Sequence, residues 1–160
     1  MKKIRVYLDT SVLSHLFAED VPEKMEQTNK LWQDFKDDKF EIFISDTTLL
    51  EIEQCPPQKK ERILKRLEEI KYQEINDSSE IEVLAEEYLK NNVLSPKSLN
   101  DCMHIASAVV LNCDIIVSWN FKHLVNFKTI NKVKIVNAVN NYKEISIMSP
   151  TMLISDEEEV

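Results

Sequence analysis

Three acidic residues of this chain, Asp9, Glu51 and Asp101, stand near the ends of apolar runs, where carboxylates can do chemistry. Asp9-Thr10-Ser11 follows an apolar run at 4–8. Ser45-Asp46, with Glu51 one to two turns on, follows a second run at 41–44. Asp101 enters an apolar helix that leads into a third run at 115–117, and Ser118-Trp119-Asn120 comes directly after that run. Ligands of open α/β sheets bind outside the carboxyl ends of the strands, so these residues are expected at one edge. Two carboxylates about 6 Å apart repel by roughly 3 kcal/mol at an effective dielectric of 20. Three in mutual reach therefore call for a cation. An oxygen-only donor set suits Mg²⁺ or Mn²⁺, whereas zinc lacks a suitable His or Cys cluster here. Such an ion acidifies water and neutralises a phosphodiester during in-line displacement, which makes phosphate-ester hydrolysis the expected reaction class.

Each residue also has a purely structural use. Asp9 can cap a helix beginning at Ser11, and Asp101, three after Ser98, fits a capping box. Glu51 and Asp46 can be a solvated helix residue and an N-cap, and Asn120 can cap a turn at 121–125. His104 lies one turn after Asp101 on the same helix face; it either bonds into the site or is a satisfied core histidine. Three independent caps have no reason to share one sheet edge. Asp114 precedes the third strand, roughly 13 Å from Ser118 along it, and is excluded from the site.

The elements that must position these residues follow from periodicity. Strands are expected at 4–8, 41–44, 115–117 and 133–136. Helices are expected from Ser11, over 22–35, from Ser45 or Asp46 to the Pro56-Pro57 pair, through a basic segment carrying Lys59, Lys60, Arg62, Lys65 and Arg66, over 79–90, and from Pro96 to Leu111. Strands alternating with helices predict an α/β layer fold with a mostly parallel sheet, because parallel neighbours need crossovers. Residues 1–150 read as one domain and 151–160 as an acidic tail.

Composition removes other mechanisms. The chain has no glycine, so a Walker loop, a GxGxxG turn and a GxSxG elbow are all absent. Positions needing a left-handed backbone must use asparagine, and Asn112 is the expected helix stop before Cys113. Three cysteines without a CxxC pair (Cys55, Cys102, Cys113) fit neither a disulfide framework nor a zinc knuckle and read as buried small side chains. The net charge of -8 is unlike a basic nucleic-acid footprint, although Asp156, Glu157, Glu158 and Glu159 contribute half of it from the tail. No apolar run approaches the roughly 18 residues of a membrane span, and the polar turn at Asp9 denies a secretory signal, so a cytoplasmic location is expected.

The segments YLDTSVLSHLF, SDTTLLEIE, LNDCMHIASAVVLNCDIIVSWNFKHLVN and VNAVNNYKEISIMSP resemble, in order and spacing, a PIN-domain protein of the VapC-like toxin class. The resemblance implies a three-layer α/β/α PIN-like domain, a ribonuclease site using Mg²⁺ or Mn²⁺, and the toxin role in a toxin-antitoxin pair. A small antitoxin and a homodimer come with that role. The family's acidic ligands fall on Asp9, Glu51 and Asp101, and its supporting hydroxyls on Thr10 or Ser11 and on Ser118. Its fourth acidic position falls on Asn120, whose amide oxygen can ligate or orient water without adding charge. That departure leaves a second reading, a degenerate module that binds RNA or protein without cutting.

Overall fold

The computed structural model describes residues 2–154. Five parallel strands form one sheet in the order β3-β2-β1-β4-β5: β1 (Ile4–Leu8), β2 (Phe40–Ser45), β3 (Gln73–Ile75), β4 (Ile115–Val117) and β5 (Ser146–Met148). The helices are α1 (Thr10–His15), α2 (Pro22–Lys36), α3 (Asp46–Glu53), α4 (Pro57–Leu67), α5 (Ser79–Lys90), α6 (Leu99–Val110), α7 (Phe127–Val139) and α8 (Pro150–Leu153), with a 3-10 turn at Pro96–Ser98.

Strand side chains alternate between the two faces, and the apolar set divides accordingly. Val6, Leu8, Ile42, Ile44, Ile115 and Val117 join one core with α1, α2 and α4. Tyr7, Phe43, Ile116 and Ile147 join the other with α5, α6 and α7. Burial on both faces is what a parallel sheet requires, and it gives the three-layer α/β/α architecture. Chain order runs from β1 outward to β2 and β3, then returns to β4 on the other side of β1. The topological switch point therefore lies between the carboxyl ends of β1 and β4, directly before Asp9 and Ser118.

Local chemistry sets the helix ends. Pro22 and Pro57 occupy first-turn positions where no amide donor is needed. Ser45 and Thr48 exchange bonds in a capping box that starts α3 immediately after β2. Asp38, Asn92, Asn112 and Asn141 have φ of 58°, 56°, 57° and 62°. Each is the second residue past a long helix and closes a Schellman pair; Asn112 N–H bonds Val109 O at 3.0 Å and Cys113 N–H bonds Ala108 O at 2.9 Å. Three asparagines and one aspartate thus do glycine's work in a chain without glycine. Asn112→Ala is expected to cost about 1 kcal/mol in urea unfolding, because a Cβ without a compensating amide is penalised in this region, while Asn112→Gly holds or raises stability.

The strand expected at 133–136 is corrected: those residues lie inside α7. The run VKIV is too short to fix a period. Thr129, Val133, Val136 and Asn137 are buried at helical spacing behind an N-cap in which Asn126 accepts from Thr129. The last strand is β5, paired with β4 from Ile115↔Ser146 to Val117↔Met148. The three-residue edge strand β3 carries one buried side chain, Ile75, and so left no alternating pattern to read. Past residue 150 the chain forms α8, which packs on α2; the acidic residues 156–159 lie outside the described residues. Cys102 and Cys113 are buried, with thiols pushed up to about 12 by that burial, and no disulfide joins the three cysteines. No helix among the described residues is long and apolar enough to cross a membrane.

Candidate active site

Asp9 leaves β1 at the switch point, with its N–H on Val117 O at 3.1 Å and its side chain 5% exposed. Its carboxylate does not cap α1. Oδ2 accepts from Ser11 Oγ at 2.6 Å and from Ser118 Oγ at 2.8 Å, whereas the partner of Oδ1 among the described residues is His104 Nε2, 3.5 Å away. The hydroxyls are held in turn, since Trp119 N–H donates to Ser11 Oγ (3.0 Å) and Asn120 N–H to Ser118 Oγ (2.9 Å). One carboxylate oxygen is fixed from behind and the other faces the site.

Glu51, from α3, accepts Thr10 Oγ1 at 2.8 Å and His104 Nε2 at 2.5 Å on the same oxygen, Oε1. His104 is fully enclosed on α6. Its Nδ1 meets the Tyr7 hydroxyl at 2.5 Å, and that hydroxyl meets Ser45 Oγ at 2.6 Å. Burial alone would lower the imidazole's proton affinity. Tyr7, Glu51 and Asp9 outweigh it and hold His104 well above its usual 6.5, as an imidazolium between two carboxylates. Burial likewise pushes the Glu51 carboxyl up, but the bonds from His104 and Thr10 bring it below its ordinary value.

Asp101 lies in the first turn of α6, where the helix N-terminus favours negative charge. The capping box with Ser98 does not form. Asp101 Oδ2 instead pairs with His123 Nδ1 at 3.0 Å. Burial and then the charge of Asp9 push the Asp101 carboxyl up, against the His123 bond, so the two carboxylates share one region of field. Asn120 does have its structural use: Oδ1 accepts His123 N–H at 2.9 Å.

The structure thus joins Asp9, Thr10, Ser11, Glu51, His104 and Ser118 in one hydrogen-bonded network, with Asp101 coupled through charge and Asn120 through Ser118. Asp114 bonds Arg5 N–H and Lys143 at the opposite end of β4. Tyr7 and His123 were not anticipated. Tyr7 reads as core in an apolar strand; His123, three after a capping asparagine, left that spacing as its signal. Among the described residues no group of three or more His, Cys, Asp or Glu side chains is spaced to hold a metal ion alone. Glu51 Oε1 is already engaged by His104 and Thr10. A Mg²⁺-like ion does not need such a cage, because it keeps several waters and takes one or two carboxylates plus substrate phosphate. Asp9 and Asp101, oxygen donors under mutual repulsion, fit that pattern.

Trp119 cannot offer its ring face to a base, being buried with Nε1 on Thr28 Oγ1 at 2.8 Å. Phe121 is 46% exposed, and Lys24 Nζ lies 5.5 Å from the Trp119 ring and 5.3 Å from that of Phe121. On α4, Lys60, Lys65 and Arg66 pair with Glu53, Glu61 and Glu69. Lys59 and Arg62 line a cleft of about 510 Å³ against His15 and Phe17.

A family model for the PIN domain matches residues 5–122. The chain belongs to the PIN-domain family. PIN domains are generally nucleases that use divalent metals. In fold the chain is similar to one in the crystal structure of VapBC2 from Rickettsia felis bound to a DNA fragment from their promoter. The TM-score is 0.55 at 14% identity, covering 91% of this chain and 98% of that one. No curated protein matches in sequence.

Proposed function

We propose that this PIN domain is a divalent-metal-dependent endoribonuclease, the toxin of a toxin-antitoxin pair acting in the cytoplasm. The observation that carries the reading is the placing of Asp9 at the switch point, its Oδ2 held by Ser11 and Ser118, with burial and then the charge of Asp9 raising the Asp101 carboxyl. Asp9 and Asp101 would hold Mg²⁺ or Mn²⁺, which when bound supplies water acidification and charge neutralisation on the phosphodiester. Ser11 and Ser118 keep Asp9 Oδ2 turned back, so Oδ1 faces the reacting group. Glu51, pinned at Oε1 by Thr10 and His104, orients water with its other oxygen. Asn120 rims the site. A small antitoxin partner and a homodimer belong to the same reading, the former supported by the VapBC2 complex to which the fold is similar.

The test is thermal. Ligand at about 100 times its dissociation constant stabilises by about 2.7 kcal/mol, or about 5 to 10 °C for a chain of this size. Mn²⁺ should raise the melting temperature of the wild type by that order and leave Asp101→Asn nearly unmoved. The metal-free mutant should melt higher than the metal-free wild type at neutral pH. A carboxyl raised by burial and a neighbouring charge costs stability when ionised, and that cost fades as acid protonates it. Equal Mn²⁺ shifts in both proteins would remove Asp101 from the site.

A further inference from the structure

We infer that His123 and Asn120 are positioning residues: together they aim the Asp101 carboxylate, as Ser118 aims that of Asp9, so that one short turn sets both groups for the cation. The inference rests on the metal reading above.

The turn from 118 to 123 is tied at both ends. At its start Ser118 Oγ donates to Asp9 Oδ2 at 2.8 Å and receives Asn120 N–H at 2.9 Å. Asn120 Oδ1 then receives His123 N–H at 2.9 Å, while Asn120 O receives Leu124 N–H (2.9 Å) and Val125 N–H (3.0 Å). Thr129 Oγ1 fixes the His123 carbonyl at 2.8 Å, so the backbone of His123 is held from both sides. A backbone fixed in this way brings Nδ1 to Asp101 Oδ2 at 3.0 Å.

The consequence is symmetrical. Ser118 engages Asp9 Oδ2 and His123 engages Asp101 Oδ2, so each carboxylate has one oxygen held by a donor from this turn. Repelling carboxylates otherwise relax by rotating apart, and hydrogen-bond donors behind them oppose that rotation. Partners behind a metal's ligands typically change affinity by about 10- to 100-fold when lost. Asn120 fits this role because its amide oxygen caps a donor without adding a further charge to an already repulsive edge. The alternative is that His123–Asp101 is merely an ion pair of the fold. At 35% and 20% side-chain exposure such a pair contributes little to stability.

The experiment measures Mn²⁺ affinity of the intact chain by electron paramagnetic resonance of the free ion, with metal-free melting as the folding control. His123→Ala should weaken Mn²⁺ binding by about 10- to 100-fold. His123→Asn, whose amide N–H can stand where Nδ1–H does, should restore most of it. Asn120→Ala should lose less than His123→Ala, and Asn120→Asp, an equally good cap, should stay within a few fold of wild type. Unchanged affinity in His123→Ala overturns the inference, as does a loss that His123→Asn does not repair. Tightening of tenfold or more in Asn120→Asp would make position 120 a ligand and overturn its positioning role. A wild type that takes up no Mn²⁺ is a separate result, which fells the metal reading itself and this inference with it.

Discussion

Asp9→Asn is expected to reduce RNA cleavage by more than the roughly 10- to 100-fold that loss of a supporting partner costs, while Asn120→Ala stays within that range. Asparagine is nearly isosteric. Its oxygen can still take the bonds of Ser11 and Ser118, so the mutant should fold and differ chiefly in the charge facing the site. Asn120 holds a backbone amide and contributes no charge, which is why its removal acts through other groups. Cleavage rates on a mixed single-stranded RNA pool, under saturating Mn²⁺, rank the two variants. The reverse ranking would move the chemistry away from Asp9.

The second large effect is on stability. His104→Ala leaves the Tyr7 hydroxyl and Glu51 without their shared partner in the interior. Breaking a buried pair from one side costs about 3 to 5 kcal/mol, and part-exposure of Glu51 points to the lower end, about 3 kcal/mol. Adding Glu51→Gln should recover part of that loss, since the amide no longer needs a cation. The pH window follows from the two directions. A His104 held above its usual 6.5 contributes stability that is fully present below 6.5 and lost as pH rises through the raised value. A Glu51 held below its usual 4.5 contributes stability present above 4.5 and lost as pH falls through the lowered value. The gap between wild type and His104→Ala in chemical denaturation should thus be widest between about 4.5 and 6.5 and narrow on either side. A gap that widens steadily toward alkaline pH would mean His104 is neutral in the fold.

Much of this site was legible because strand ends are legible. Asp9 and Ser118 each follow a short, mostly apolar run, and parallel pairing puts the ends of β1 and β4 together. The competing caps at Asp9 and Asp101 were equally good on sequence grounds. Only the structure shows that neither cap forms and that the two carboxylates take Ser11, Ser118 and His123 as partners instead. His104 offered the opposite ambiguity and resolves both ways, buried like a core residue yet bonded to Glu51. His123 was hidden because its partner is 22 residues earlier, across a turn whose geometry depends on Asn120. In the fold, Asn112 announced itself through the absence of glycine, whereas 133–136 misled because four residues cannot separate a strand from one face of a helix.

The proposed role of Asp9 and Asp101 is to hold a divalent ion at which RNA is hydrolysed. Its most direct test is cleavage of a mixed single-stranded RNA pool by the purified wild type in Mn²⁺, after stripping with EDTA, and after restoring the ion. The expected result is internal cleavage that stops on stripping and returns with Mn²⁺ or Mg²⁺. Cleavage indifferent to EDTA would contradict the claim. So would RNA that shifts in a gel at low salt but is never cut under any metal condition, the behaviour of a domain that binds without hydrolysis.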